Sequence, residues 1–159
     1  MNTIQLKPTL RYALLRSLKH LIFLIFIMLG YVAISVYFNH SYSIISYFVY
    51  LAVLPILSGL YTILYWKMVK YEINNQQIIY SRGIFNRKHD YLELFRIKDF
   101  ERDQPLLMRM LNIMNFTLIT SDQSHPVLIF RGIPVSNIPI VIRELVQHAR
   151  KNNRVFEID

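Results

Sequence analysis

The fold class predicted by this sequence is an α+β membrane protein. A two-helix transmembrane hairpin comes first, followed by a small antiparallel β-barrel or sandwich closed by a C-terminal α-helix. Three observations predict it. Residues His20 to Trp66 run for forty-seven positions without Asp, Glu, Lys or Arg. Short alternating segments separated by turn residues fill most of 67–134. Beyond them, apolar residues recur at helical spacing.

The apolar stretch is long enough for two crossings of a bilayer core roughly 30 Å thick, at about 20 residues each. A polar dip from Asn39 to Ser43 divides it into spans at 21–38 and 44–66. The first span holds twelve Leu, Ile, Val or Phe residues. Each favours insertion by about 0.3–0.6 kcal/mol near the bilayer centre. A buried hairpin of a water-soluble protein is the alternative, but too little chain remains to wrap both helices. A cleaved signal peptide is not expected, because the apolar core is too long and no small-x-small site follows it.

Charge sets the orientation. Arg11, Arg16 and Lys19 flank the first span, Lys67 and Lys70 follow the second, and the loop between them is uncharged. The positive-inside rule therefore puts both termini in the cytoplasm and 39–43 outside. The net charge of +8 is accounted for in this way, and nucleic acid is not an expected partner. Residues 1–20 read as a basic cytoplasmic arm. With Leu10, Leu14, Leu15 and Leu18 it is either an amphipathic helix on the membrane surface or an extension of the first span. Tyr61, Tyr65 and Trp66 at one end, and Tyr31, Tyr37, Tyr42, Tyr47 and Tyr50 toward the other, fit interfacial aromatic belts. Pro55 and Gly59 predict a packing kink.

Residues 67–159 read as one cytoplasmic domain. Strands are expected at 68–73, 77–84, 87–94, 97–103, 115–121 and 127–133, with Asn74-Asn75 and the run SDQSHP as turns. Pro105 opens a short helical turn, LLMRML. Ser136 or Asn137 caps the last helix, with Pro139 in its first turn. Ile138, Val141, Ile142, Leu145 and Ala149 form its apolar face, suited to plugging the mouth of a partly open barrel.

Several ordered segments together resemble the bacterial pleckstrin-homology-like (PH-like) domain of the membrane-anchored type, with two helices preceding it. They are Tyr71, Ile73 and Gly83; LELFRIKDF from Leu92 to Phe100; QPLLMR from Gln104 to Arg109; and Arg131-Gly132-Ile133-Pro134. The resemblance covers about ninety residues, Tyr71 onward. It implies two roughly orthogonal antiparallel sheets forming a partly open barrel, capped by the C-terminal helix. It also implies the inner membrane as location and no catalysis. Asn112 and Met114 stand where the family often has glycine, and Arg102 where it often has an apolar residue. Asn112 tolerates a positive φ and Met114 does not.

Chemistry is sparse. There is no cysteine, so thiolate and disulfide chemistry are excluded. Histidines 20, 40, 89, 125 and 148 share no ligand spacing, and no nucleophile elbow or phosphate loop is present. Asp99, Glu101 and Asp103 fall on one face of a strand among Arg96, Lys98 and Arg102, and read as a solvated charged face. No catalytic residue, metal site or cofactor is expected. The basic turn holding Arg82, Arg87 and Lys88 is the candidate lipid-contact site, since pleckstrin-homology domains carry basic residues toward phosphorylated head groups on such turns. Gln104, Pro105 and Arg109 match the family signature and are expected to be structural, with Arg109 bonding backbone carbonyls or a carboxylate.

The function expected is non-enzymatic. The chain would display a cytoplasmic PH-like domain for self-association or protein contacts, in envelope maintenance or assembly of a membrane complex. One alternative is an anionic-lipid-sensing module that uses the basic hairpin. Another is a small transporter or channel subunit, against which the uncharged spans argue. The candidate partners are membrane lipids, further copies of the chain and another membrane protein.

Overall fold

The computed structural model describes residues 3–37 and 42–152. The element order is β1 (Ile4–Leu6), α1 (Leu10–Tyr37), α2 (Tyr42–Met68), β2 (Lys70–Ile73), β3 (Gln77–Arg82), β4 (Lys88–Glu93), a 3-10 turn (Leu94–Arg96), β5 (Ile97–Asp103), α3 (Leu106–Met110), β6 (Ile113–Thr120), β7 (Val127–Pro134) and α4 (Ile138–Asn152). Two compact units result. One joins the residues up to Tyr12 with those from Tyr65 onward, and the other is Ala13–Leu64.

The second unit is the helical hairpin. Both of its helices are long and apolar enough to cross a membrane, and only 11% of each apolar window is buried within the molecule. The helices are therefore not wrapped as the core helices of a soluble protein would be. Inside the hairpin, Tyr31 meets Phe48 edge to face at 5.5 Å. Pro55 lies within α2. The polar connection expected at 39–43 lies largely outside the described residues.

The first unit is PH-like. Its sheets run β1-β2-β3-β4 and β5-β6-β7, all antiparallel. No ladder joins them into a closed barrel among the described residues. Alternation buries one side of each sheet: Tyr71, Ile73 and Ile78 from one, Phe116, Leu118 and Phe130 from the other. The last helix covers this core with Ile142, Val146 and Ala149, spaced four and three apart. Leu145, expected at the centre of that face, is half-buried at its margin, and Val146 takes the central place. The expected stripe holds at Ile142 and Ala149, and departs from the apolar pattern only in that Val146 is buried ahead of Leu145.

The larger departure is at the beginning. Residues 1–20 are not one arm. From Leu10 the chain is helical and continuous with α1, so the extension reading holds over the surface-helix reading. Ahead of it, Ile4–Leu6 is a strand of the first sheet, with Ile4 opposite Ile73 and Leu6 opposite Tyr71. The apolar hairpin is therefore an insertion between two neighbouring strands. Thr9 donates its backbone N–H and its hydroxyl to the Gly132 carbonyl at 2.9 and 3.1 Å. Tyr12 is fully buried and meets Trp66 edge to face at 4.8 Å. Gly132 has φ +61°, and a side chain there would collide with the Tyr12 ring, so only glycine fits.

Tyr71 ties the two sheets together. Its hydroxyl donates to the Ile129 carbonyl at 3.1 Å and accepts the Arg131 N–H at 3.2 Å, both on β7. Burial raises the phenol's pKa well above its ordinary value, with the Arg131 N–H acting in the opposite direction. Asn112 takes a positive φ of 55°, and Met114 is fully buried in β6, where the register with β7 shifts between Met114 and Phe116.

Candidate functional site

Alternation along β2, β3 and β4 turns Tyr71, Ile73 and Ile78 into the core and leaves the opposite face to solvent. On that outer face register builds a row. Lys70 is opposite Ser81, and Ser81 is opposite His89. The Ser81 hydroxyl and His89 Nδ1 are hydrogen-bonded at 2.8 Å. Arg87 and Arg82 complete the basic lining of a cavity of about 300 Å³, with Glu72 the one acid there. The turn closing β3 and β4 is tight: Gly83 has φ +106°, and a side chain would strike the Asn86 carbonyl.

The expected lipid-contact residues are treated differently by this geometry. Arg82 and Arg87 line the same cavity, while Lys88 pairs with Arg82 in register but does not line it. Arg82 is ion-paired with Asp90 at 3.0 Å and lies over the Tyr80 ring at 5.1 Å. Asp90 also faces His125 Nε2 at 3.5 Å. The positive charge of Arg82 is thus partly matched, whereas Lys70 and Arg87 have no ion-pair partner among the described residues. Lys70 is the site residue that sequence reasoning missed. Its proximity to the basic turn depends on strand register, and only the alternation of β2 hinted that it faces outward.

The family-signature residues are structural in part. Gln104 donates to the Ile113 carbonyl at 3.0 Å and accepts from Arg102 at 3.2 Å, spanning the connection around α3. Pro105 caps α3. Arg109 is exposed, and its side chain has no hydrogen-bond or ion-pair partner among the described residues. The carbonyl bond expected of it is made by Arg11, which donates to Leu111 at 3.0 Å. The acidic stretch of β5 is exposed, with Asp99 accepting the Phe100 N–H at 2.7 Å.

Within the hairpin unit, His20 bridges the helices. Its Nδ1 meets the Ser58 hydroxyl at 2.8 Å and its Nε2 the Thr62 hydroxyl at 3.2 Å. Ser58 and Thr62 share one face of α2, one turn apart. No local spacing points to this contact, because its partners are 38 and 42 positions away. Among the described residues no group of three His, Cys, Asp or Glu side chains is placed to hold a metal ion.

A helical hairpin, long and apolar enough to cross a membrane, inserted into a two-sheet, helix-capped unit with a basic outer cavity defines a PH-like protein. The family model described as bacterial PH domain matches residues 12–149, and the chain belongs to that family. No curated protein and no solved structure matches it.

Proposed function

We propose that this protein is a non-catalytic module anchored in the inner membrane, and that its PH-like unit takes phosphate-bearing anionic groups at the cytoplasmic surface. The observation that carries this reading is the cavity lined by Lys70, Ser81, His89 and Arg87, with two cations that have no ion-pair partner among the described residues. A hydroxyl, an imidazole and two cations in one concave site suit a phosphate oxygen cluster. Met68, the last residue of α2, also lines the cavity, so the site lies within a few residues of the apolar span. The β1–β2 ladder supports a hairpin whose two ends lie on one side of the membrane, and the basic flanks support the cytoplasmic side.

The test uses the full chain in mixed micelles containing short-chain phosphatidylglycerol or phosphatidylcholine. Binding should favour the anionic lipid and weaken with salt, because the attraction is screened over roughly 8 Å at physiological ionic strength. At about 1 kcal/mol per cation, Lys70→Gln with Arg87→Gln should weaken it about 30-fold. Equal affinity of this variant and the native chain would refute the reading.

Display for self-association or protein contacts, in envelope maintenance or membrane-complex assembly, is the second reading. The outer edge of β4, which has a ladder partner on one side only, favours it, because free strand edges recruit strands. In-cell cross-linking from β4 tests it, and a discrete adduct is the expected result.

A further inference from the structure

The three most exposed large apolar side chains among the described residues of the PH-like unit, Phe85, Met110 and Leu106, lie in the β3–β4 turn and on α3. Phe85, in the β3–β4 turn, is 93% exposed. On α3, Leu106, Leu107 and Met110 are 71%, 55% and 76% exposed. Positions 106, 107 and 110 share a helix face. Met108 is buried, so α3 is held by Met108 and turns three large apolar side chains away from the core. Monomeric soluble surfaces rarely present such clusters without a partner.

The β3–β4 turn and α3 lie at the end of the unit from which the hairpin departs. Lys70 pairs with Ser81 and Arg82 with Lys88, so the turn projects beyond the first residue of β2, which follows α2. Arg11, in the first turn of α1, donates to the Leu111 carbonyl just after α3. The turns at the opposite end are polar, Asn74-Asn75-Gln76 and Ser121 to His125, with Val127 beside the second at 52% exposure.

Charge selects the occupant. Arg87 and Lys88 stand beside Phe85 in the chain, and Arg109 stands within the α3 face. No Asp or Glu occurs in residues 1–20 or 104–121. Apolar side chains interleaved with cations suit the boundary between anionic head groups and acyl chains. A second copy presenting the same face would set cations against cations.

We propose that Phe85 and the Leu106, Leu107 and Met110 face of α3 insert into the lipid interface of the membrane that the hairpin crosses. The inference rests on α1 and α2 being spans and is independent of the anion cavity.

The chain lacks cysteine, so single probes can be placed without background. Phe85→Cys, Met110→Cys and, as control at the polar end, Ser124→Cys are each made in the full chain and labelled with a small fluorophore. They are reconstituted into phosphatidylglycerol-containing vesicles carrying lipid-borne quenchers. Quenching at 85 and 110 should exceed that at 124 by about twofold or more, as interfacial depth requires. Quenching no greater than at 124 would overturn the proposal. So would cross-links between copies at 110 in place of lipid quenching. Loss of headgroup preference in the micelle experiment with probe quenching intact would count against the anion cavity alone.

Discussion

The two seams between the sheets of the PH-like unit are closed in different ways. At the β2–β7 seam the closing residues come from both sides of the hairpin, with Thr9 on Gly132 and Tyr12 against Trp66 from before it and the Tyr71 hydroxyl on β7 from after it. At the β4–β5 seam the chain itself turns the corner through Leu94–Arg96. There Leu94 and Ile97 are fully buried, Ser121 donates to the Arg96 carbonyl, Arg150 donates to the Ile97 carbonyl, and α4 packs across. One seam depends on residues brought together across the whole hairpin, and the other on contiguous chain and a capping helix. The lesson is that the boundary of the folded unit does not coincide with the end of the second span.

This comparison can be broken by substitutions read as local stability in the full chain, by hydrogen exchange of the strands in micelles. The largest effect is expected from Tyr12→Ala. Removing a fully buried aromatic side chain costs about 3–5 kcal/mol, and protection should fall first in β1 and β7. Next comes Ile142→Ala, at about 2–5 kcal/mol, with protection lost first around the 3-10 turn and β5. Leu145→Ala should do less than Ile142→Ala, since Leu145 is only half-buried. If both large substitutions loosened both seams equally, the distinction between the seams would fail.

Tyr71→Phe sharpens the comparison at smaller scale. It leaves the Ile129 carbonyl and Arg131 N–H without their partner, at a cost of about 1–3 kcal/mol. It should also alter the pH dependence. The folded pKa is raised, so the folded state holds the phenol proton more tightly than the unfolded state does. That stability is fully present below the ordinary phenol value of 10.0 and is lost as pH rises from there toward the folded value. A melting series run upward through pH 10.0 should fall for the native chain and fall less for Tyr71→Phe. The smallest effect is expected from Thr9→Val, about 1 kcal/mol for one hydroxyl bond, because the Thr9 backbone bond to Gly132 remains.

The strands from β2 onward were legible because alternation and turn residues are local signals. So were the two long apolar helices and the closing helix. The three-residue β1 was not. Ile4-Gln5-Leu6 is too short to show a period, and its partner, Tyr71–Ile73, lies beyond the hairpin. The same reason governs the site. Arg82, Arg87 and His89 stood out beside a turn, but Lys70 joins them only through register, and Asp90 offsets Arg82 only in three dimensions. The exposed face of α3 was hidden as well. LLMRML looks equally apolar all round, and only the folded unit shows that Met108 points inward while its neighbours do not.

Strand β1 also sets the order of biogenesis. Ile4–Leu6 leaves the ribosome well before Tyr71–Ile73, and at about 5–20 residues per second the interval is several seconds. During that interval both apolar helices emerge and β1 has no strand to pair with. On the proposed membrane anchoring, the first sheet would be completed only after the hairpin has entered the bilayer with both ends on one side. A chain inserted with a single crossing would strand β1 opposite its partner and leave Tyr71 and Gly132 uncovered. Membrane insertion and domain folding would then be one coupled event, and misinserted copies should be recognisable to proteases as incompletely folded protein.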